Sequence, residues 1–444
     1  MRHLSIAYGV GLSLLFSQQV SLQAGPMLGY AQYREVAIWL QTTGPATVKI
    51  EYTDTLYPKV KYQTSPQHTT EERAYTAIFR IGPLQPGRVY AYAIYINDKP
   101  VKLSYPTYFR TLSQWKWRSA PPNFRFVIGS CAYVNDSLYD RPGELYGGEY
   151  EIFQSIANQK PDFMLWLGDN VYLRESDWNS FSGIVARYTH TRSLPQMQPL
   201  LSICPHYAIW DDHDFGPNDS DRGFWAKDWT KRAFTYFWAN PSYGVPQAPE
   251  GISSFFEWSD VEFFLLDCRT YRAPNKRITG ERTMLGKAQL EWLIDALKSS
   301  RATFKFVACG SQILSTTTGY ENFINYPEER ELLLKRIEEE RIPGVIFLTG
   351  DRHFSEISVM KLGNGQKIYD ITASPLTAGP FRGASEKDKN PLRIERTLTT
   401  QRNFLLLSVT GPERSRQLSI KAYDSKGTLL WEETIHSREL QPQD

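Results

Sequence analysis

From residue 122 onward, short apolar runs of strand length alternate with stretches of helical periodicity, and this alternation restricts the possible folds more than any other feature. It is typical of layered α/β domains, because each strand and helix buries an apolar face in a shared core. Two helices are predicted, over 285–297 and 327–340. The apolar runs cover residues 124–128, 163–167, 208–210, 263–266, 304–308, 345–348 and 368–371.

Residues 26–118 have a different pattern, in which short strand-like runs are separated by turn residues rich in Gly and Pro. This spacing predicts a small β-sandwich of immunoglobulin or fibronectin type III architecture, and it holds no recognisable catalytic group. More strands are predicted at the end of the chain, with a hairpin turn over 424–427. The predicted strands in these two regions are 36–40, 47–52, 74–79, 89–96, 404–409, 418–422 and 429–433.

The N-terminus has the features of a secretory signal peptide. Arg2 precedes an uncharged apolar stretch over 4–16, and Ala24-Gly25 offers a small-residue cleavage site. A buried first helix is the alternative. The apolar run is too short to span a bilayer, so no stable membrane insertion is expected. We therefore predict a signal peptide over 1–24, a β-domain over 25–118, a catalytic domain over 119–444, and a secreted or periplasmic protein.

The composition excludes some classes of function. The 444-residue chain has a formal net charge of +2, which argues against a protein that coats nucleic acids or other polyanions. Its four cysteines are too few and too scattered for a disulfide scaffold. The composition does not fix the oligomeric state.

Polar side chains follow directly after several of the predicted strands. The carboxyl ends of strands in an α/β sheet meet at one edge, where ligands bind. Segments far apart in sequence can therefore bring Cys, Asp, Tyr, His and Asn to one place, and these are metal-ligand types. The segments are Gly129-Ser130-Cys131, Gly168-Asp169-Asn170-Val171-Tyr172, Asp211-Asp212-His213-Asp214 followed by Asn218, Cys309-Gly310-Ser311-Gln312, and Gly350-Asp351-Arg352-His353.

Each segment alone also has an ordinary structural explanation. A Gly-Asp pair after a strand is usually a turn, a single Cys is usually a small core residue, and His213 between acids could form a salt bridge. Together these explanations are less satisfactory. Asp211, Asp212 and Asp214 place three like charges within four residues, which is costly unless a cation or solvent compensates.

These segments resemble the motifs of the calcineurin-like metallophosphoesterase superfamily, and most closely its PhoD-like alkaline phosphatase branch. Gly129-Ser130-Cys131 stands where the wider superfamily has Asp-x-His, which is the departure seen in that branch. The other motifs are Gly168-Asp169-Asn170, Asp211-Asp212-His213-Asp214 and Gly350-Asp351-Arg352-His353. The resemblance implies a four-layer α/β sandwich, with two central sheets flanked by helices, behind the N-terminal β-domain.

The resemblance also implies metal ions. Tyr172 stands three residues after Asp169, the offset at which purple acid phosphatases place a tyrosinate ligand, so Cys131, Asp169 and Tyr172 are expected to hold Fe(III). Calcium is the implied partner, and it suits oxygen ligands from Asp169, Asp212, Asn218 and Asp351. His353 is expected as a further ligand from the last motif. Gln312, Cys204, Cys268 and Cys309 are interpreted as structural.

The function implied is hydrolysis of phosphate monoesters or diesters, with a metal-bound water as the nucleophile. His213 is predicted to protonate the leaving group or to bind a phosphate oxygen and not to bind a metal. In a loop at a strand end, adjacent side chains usually point apart, so His213 should face the substrate if Asp212 faces the metal. Arg174 and Arg352 stand beside expected ligands and could clamp the phosphoryl group, although salt bridges with nearby acids are the alternative.

Two other functions stay open. One is a lipid-directed phosphodiesterase or a nuclease on the same scaffold. A nuclease needs a basic groove, but aromatic residues dominate the candidate segment over 222–238, so no nucleic acid partner is expected and a small-molecule or lipid phosphate ester is favoured. That segment is predicted to cover the site. The other is a non-catalytic surface-binding protein, against which the intact Cys131, Asp169, Asp351 and His353 argue.

Overall fold

The computed structural model describes residues 19–318, 320–413 and 415–443, so most of the predicted signal peptide lies outside the described residues. Within those ranges no helix is long and apolar enough to cross a membrane.

The N-terminal region is a β-sandwich, which confirms the prediction. One sheet has the strand order β1-β2-β6, and the other has the order β4-β3-β7-β8, with β5 on β3 and β9 on β7. Apolar side chains such as Ile38, Ile50 and Ile94 fill the space between the sheets. The strands are β1 (Leu22–Ala31), β2 (Val36–Thr42), β3 (Ala46–Asp54), β4 (Tyr62–Gln63), β5 (Gln67–Thr69), β6 (Thr76–Ile81), β7 (Val89–Ile96), β8 (Lys99–Pro100) and β9 (Tyr108–Arg110).

The remaining strands form two six-stranded sheets, with the orders β12-β11-β10-β19-β20-β21 and β13-β14-β15-β16-β18-β17. They are β10 (Phe124–Gly129), β11 (Phe163–Leu167), β12 (His206–Ile209), β13 (Ser254–Trp258), β14 (Val261–Leu265), β15 (Phe304–Cys309), β16 (Val345–Thr349), β17 (Glu356–Lys361), β18 (Lys367–Thr372), β19 (Asn403–Thr410), β20 (Gln417–Asp424) and β21 (Leu429–His436). The helices are α1 (Ile152–Asn158), α2 (Phe181–Arg192), α3 (Gln198–Ile203), α4 (Asp212–Phe215), α5 (Lys227–Phe237), α6 (Lys287–Ser299), α7 (Pro327–Glu339) and α8 (Ala384–Lys387).

The two large sheets pack face to face through aromatic side chains. Phe126 of β10 meets Phe263 of β14 edge-on, with ring centroids 5.3 Å apart, and Phe306 of β15 at 5.4 Å. On the outer face of the second sheet, α6 and α7 bury leucines such as Leu293 and Leu333. Helices thus flank the paired sheets, and the predicted four-layer α/β sandwich is confirmed.

The parallel strands end together, and this positions the site. Strands β10, β11 and β12 are parallel in one sheet, and β14, β15, β16 and β18 are parallel in the other. The polar segments predicted to carry chemistry begin at the last residue of these strands or one or two residues beyond it, so they emerge at a common edge.

The C-terminal part of the aromatic segment over 222–238, helix α5 and Trp238, joins the two domains. Trp39 of β2 donates its indole N–H to the Tyr236 carbonyl at 2.7 Å. The buried guanidinium of Arg192 stacks on Trp238 at 4.1 Å and lies 5.6 Å from Trp39. Trp39 and Trp238 are buried at this joint between the domains, whereas Trp225 is 63% exposed. The role of the segment as a cover over the site stays a prediction.

The domain boundaries stay predictions. The structure has β9 ending at Arg110 and β10 beginning at Phe124, on either side of the predicted boundary. The predicted cleavage site before Gly25 falls inside β1, where the Gly25 N–H donates to Gln198 Oε1 at 2.8 Å. A mature chain that keeps β1 whole must therefore begin at or before Leu22.

Candidate metal centre

Four of the predicted site residues adopt a left-handed backbone conformation that residues other than glycine rarely adopt. The φ angles are 60° at Cys131, 51° at Asp169, 68° at Asp351 and 56° at His353. Each follows a strand by a few residues, so each loop turns sharply at the strand end. Such conformations persist only where the surroundings impose them, and they cluster at functional sites.

Cys131, Asp169 and His353 form the first group, in which their candidate ligand atoms all lie within 4.8 Å of one another. The Cys131 thiol donates to Asp169 Oδ2 at 3.6 Å and accepts from the Ser374 hydroxyl at 3.1 Å. Tyr172 lies beside them, with its hydroxyl 3.2 Å from His353 Nε2. The structure thus brings together the three residues expected around iron, Cys131, Asp169 and Tyr172, and places His353 beside them.

The orientation of His353 suits a ligand. Its Nδ1 lies 2.5 Å from the Gly379 carbonyl, which can only accept, so Nδ1 carries the proton. The lone pair of Nε2 therefore points towards Tyr172 and the first group. Metal-binding histidines commonly fix the ring in this way, through a hydrogen bond from the nitrogen that does not bind the metal.

The carboxylates beside this group form two overlapping groups. Asp169, Asp212 and His213 make one, and Asp211, Asp212 and Asp351 make the other, again with candidate ligand atoms within 4.8 Å. Asp212 belongs to both. Shared carboxylates at this spacing are suited to two cations close together.

The charges in these groups are not balanced by the protein alone. Burial, together with the negative charges of Asp212 and Cys131, holds the pKa of Asp169 well above its usual range. Burial likewise raises the pKa of the Cys131 thiol to about 12. Asp211 Oδ2 and Asp212 Oδ1 are buried and accept no hydrogen bond from the described residues. Acceptor-only oxygens crowded around a shared centre fit a bound cation, so the donor set agrees with the metal ions that the sequence implied.

A buried network of two arginines and a glutamate lies next to the carboxylates. It was not predicted from the sequence. The Arg269 guanidinium donates to Asp211 Oδ1 at 2.5 Å and to Glu321 Oε2 at 2.6 Å. Arg272 contacts Glu321 Oε1 at 2.6 Å. A further group of Asp212, Asp219 and Glu321 lies on this side. The signal available in the sequence was the segment Leu266-Asp267-Cys268-Arg269-Thr270-Tyr271-Arg272 after β14, which contains two arginines.

Asp214 organises the backbone around Asp169 without joining a metal group. Its carboxylate accepts from the backbone N–H groups of Asn170 at 3.1 Å and Asp211 at 3.0 Å. Burial raises the pKa of Asp214 to about 7. Asp214 therefore ties the loop after β11 to the start of α4.

His213 is not turned away from Asp212, contrary to the expectation that adjacent side chains point apart. Residues 212–215 form the helical turn α4 and not an extended loop, so the alternation of a strand does not apply. His213 Nε2 lies 3.9 Å from Asp212 Oδ2, and its ring packs against that of Tyr172 in a tilted arrangement, with centroids 4.2 Å apart. Its predicted role on the substrate side stays a prediction.

The two predicted phosphate-binding arginines are held by other groups. Every side-chain nitrogen of Arg174 has a protein acceptor: Nε and Nη2 bind Asp140 Oδ1 at 3.1 and 2.8 Å, and Nη1 binds the Tyr172 carbonyl. Arg352 is buried and forms a salt bridge of 2.5 Å with Asp388 Oδ2. The salt-bridge alternative thus describes both side chains.

The other predicted residues lie as follows. Asn218 is exposed, while its neighbour Asp219 takes part in a carboxylate group; the role of Asn218 as a calcium ligand stays a prediction. Gln312 is buried and donates to Glu356 Oε1 at 2.9 Å. Cys204, Cys268 and Cys309 are buried, and the Cys268 thiol lies 3.3 Å from Asp211 Oδ1.

Comparisons with known proteins agree with this geometry. Residues 126–409 match the family model of the PhoD-like phosphatases, and residues 19–112 match a domain of unknown function, DUF7800. Alkaline phosphatase D of Bacillus subtilis (strain 168) is 24% identical over 313 residues, which is 60% of this chain and 51% of that protein. The chain therefore spans about half the length of this curated relative.

Two solved structures have a similar fold. A structure of PhoD superposes with a TM-score of 0.73 at 17% identity and covers 91% of each chain. A purple acid phosphatase isolated from yellow lupin (Lupinus luteus) seeds superposes with a TM-score of 0.65 at 13% identity, over 92% of this chain and 73% of that one. At these identities the likeness concerns the fold, whereas the family model covers more than half of the sequence. The chain belongs to the PhoD-like phosphatase family.

Proposed function

We propose that the protein is an exported, metal-dependent hydrolase of phosphate esters. The observation that carries this proposal is the convergence of Cys131, Asp169, Asp212 and Asp351 at one edge of the sheets, with buried oxygens that lack partners. Family membership supports the same class of reaction. The substrate is a small-molecule or lipid phosphate ester, and the geometry does not favour monoesters over diesters.

The donor sets support an iron and a calcium ion. Cys131, Tyr172 and His353 offer thiolate, phenolate and imidazole, which suit a trivalent transition metal, with Asp169 shared between the sites. Asp212 and Asp351 offer hard oxygens, which suit Ca²⁺. When bound, such ions supply positive charge that activates water and neutralises the phosphoryl oxygens.

The chain's own residues would then orient the substrate and supply the proton that the leaving group needs. His213 lies beside Asp169 and Asp212, with its ring packed against that of Tyr172 at an interplanar angle of 31° and its side chain 22% exposed. From there Nε2 can donate a hydrogen bond to the oxygen of the departing group. The Gly379 carbonyl and the left-handed turn at His353 keep that imidazole in a single orientation.

The test is elemental analysis of purified protein together with turnover of a chromogenic phosphate monoester and diester. Asp169→Asn keeps the shape and removes the charge, so we expect it to lose metal and about 3 kcal/mol or more of transition-state stabilisation. Asp295→Asn, on the exposed face of α6, is the matched control and should keep both. Full metal content and near-wild-type turnover in Asp169→Asn would refute the proposal.

Export is the second part of the proposal, and it rests on the signal-like residues 4–16. Mass spectrometry of protein from the native host should show a mature N-terminus at or before Leu22, so that β1 stays complete. An intact Met1 chain found in the cytosol would contradict export.

A further inference from the structure

Beside the metal centre lies a row of half-buried aromatic rings that the metal chemistry does not use. It consists of Tyr146, Phe381 and Tyr320, and we call it the aromatic wall. Scattered exposed apolar residues need no explanation. These three, however, are contributed by three separate segments that contact one another: Tyr146 packs on Gly379, Phe381 follows two residues later, and Tyr320 packs on Phe381.

Contacts make the wall continuous with the centre. The Phe381 N–H donates to the His353 carbonyl at 2.8 Å. Tyr146 is 44% exposed, and its hydroxyl lies 3.2 Å from His353 Nδ1. Its ring covers Gly379, where an added Cβ would stand 3.0 Å from Tyr146 Cε2. Tyr146 therefore packs on the same short segment that carries Phe381, two residues before that side chain.

Tyr320 extends the wall away from the metal ligands. Its ring centroid is 5.7 Å from that of Phe381, and the Arg352 guanidinium lies 4.4 Å from the Tyr320 ring. Phe381 also packs on the buried Phe354, at 6.4 Å. The rings thus have firm support on one side and a solvent-facing surface on the other.

The segment that carries Tyr146 is anchored and so holds its ring in place. The Gly148 N–H donates to the Thr377 carbonyl at 3.0 Å, and Arg402 Nη2 donates to the Tyr146 carbonyl at 3.1 Å. The Gly147 N–H donates to Asn135 Oδ1 at 2.9 Å. Fixed aromatic faces lose little conformational entropy when a ligand stacks on them.

We propose that the aromatic wall binds the leaving group of the ester and selects leaving groups with a flat apolar ring over small polar ones. This inference rests on the proposed function, because it places the phosphoryl group at Asp169, Asp212 and Asp351. Each ring contact is worth between roughly twofold and tenfold in affinity.

The first measurement compares kcat/KM for 2-naphthyl phosphate and phenyl phosphate, two aryl monoesters that differ in flat apolar area. The wild-type protein should prefer the naphthyl ester. Phe381→Ala should reduce that ratio by about twofold to tenfold. Phe381→Leu, which keeps bulk but loses the flat face, should reduce it too, and it carries the test if Phe381→Ala does not fold. An unchanged ratio in both variants would overturn the inference.

Two controls separate the rings from general effects. Tyr146→Phe keeps the ring and should keep the ratio. Trp117→Ala removes a 97% exposed aromatic residue in the segment between the domains, and it should also leave the ratio unchanged. A fall of equal size in Trp117→Ala would show that the ratio does not report on the wall, and would count against it.

A binding measurement separates this inference from the proposed function. By calorimetry, the metal-loaded protein should bind phenylphosphonate more tightly than methylphosphonate, and Phe381→Ala should remove most of that difference. If the wild-type protein hydrolyses no ester but still binds phenylphosphonate more tightly, the proposed function is refuted and the inference about the aromatic wall is supported. Equal affinities for the two phosphonates would overturn the wall, whether or not esters are hydrolysed.

Discussion

His213 is the residue whose role depends most on its immediate surroundings, because it lies within reach of both Asp169 and Asp212. If it donates a proton to the leaving group, His213→Ala should slow hydrolysis of alkyl phosphates by about 10²–10⁴-fold and that of p-nitrophenyl phosphate far less. Metal content should stay unchanged. His68→Ala, on the exposed strand β5, is the control. Loss of metal from His213→Ala would instead identify a ligand.

Arg174 provides a second test at the scale of one residue, because its contacts predict a structural role. Replacing it by Met leaves the largely buried Asp140 without its partner, so we expect the free energy of unfolding to fall by about 3–5 kcal/mol. The KM for phosphate esters should not change in the folded fraction. Arg141→Met breaks the exposed pair with Glu175 and should have little effect on chemical denaturation. A raised KM at unchanged stability would restore the phosphate-clamp interpretation.

At the scale of elements, the contact of β1 with the catalytic domain leaves no room for a side chain at Gly29. An added Cβ would stand 2.5 Å from the Ala239 Cβ and 2.8 Å from its carbonyl oxygen. Gly29→Ala should therefore lower the melting temperature by several degrees, because one strand must move off the joint. At Gly44 the nearest atom would be 3.4 Å away, so Gly44→Ala should be tolerated. Equal melting temperatures for the two variants would contradict close packing between β1 and the catalytic domain.

Strands with unbroken apolar runs or a regular alternation of apolar and polar residues were predictable from the sequence, and those with an interrupted pattern were not. The run 163–167 matches β11, in which every residue is buried. The run 89–96 matches β7, in which alternate residues are buried. β1 was missed because Gly25, Pro26 and Gly29 interrupt its pattern. β17 was missed because its buried Glu356 pairs with Arg393, a partner distant in sequence.

The site residues were likewise predictable only where the local sequence pattern fixes their position. Residues placed directly after strands were found together, because the topology of a parallel sheet fixes where strand ends meet. Arg269 and Glu321 were not identified, since their role depends on packing between segments over fifty residues apart. The expected orientation of His213 was wrong for a local reason, because α4 begins at Asp212 and changes the direction of every following side chain.

At the scale of the whole molecule, the buried carboxylates make the stability of the metal-depleted protein depend on pH. The pKa is raised to about 6 in Asp211 and to about 7 in Asp214, mainly by burial, and to about 6 in Asp219. Between about pH 4 and pH 7 the folded state therefore binds more protons than the unfolded state, so stability falls as pH rises. Burial lowers the pKa of His206 to about 3 and also lowers the pKa values of His213 and His353, so these three groups oppose the trend below about pH 6.5. The carboxylates with raised pKa values outnumber them, since Asp169 and Asp351 belong to that set as well. The opposite shift of Asp212 acts only below its ordinary pKa, outside this window.

We therefore expect protein treated with a chelator to melt at a higher temperature at pH 5 than at pH 8. The metal-loaded protein should show a smaller difference, because cations replace the protons on the carboxylates of the metal groups but not the proton on Asp214. Asp214→Asn should flatten the dependence in the chelated protein. A chelated protein that melts at a higher temperature at pH 8 would contradict the assignment of these raised pKa values.

The sharing of carboxylates between groups has a consequence for how the centre fills. Asp212 belongs to three of the four candidate groups, and Asp169 belongs to two. Two ions at this centre would share ligands, so the first to bind would order side chains that the second also needs. We therefore expect metal titration of the chelated protein to be cooperative, with few half-loaded molecules. A centre of this kind would respond to the joint supply of its ions, and a shortage of one would leave it largely empty.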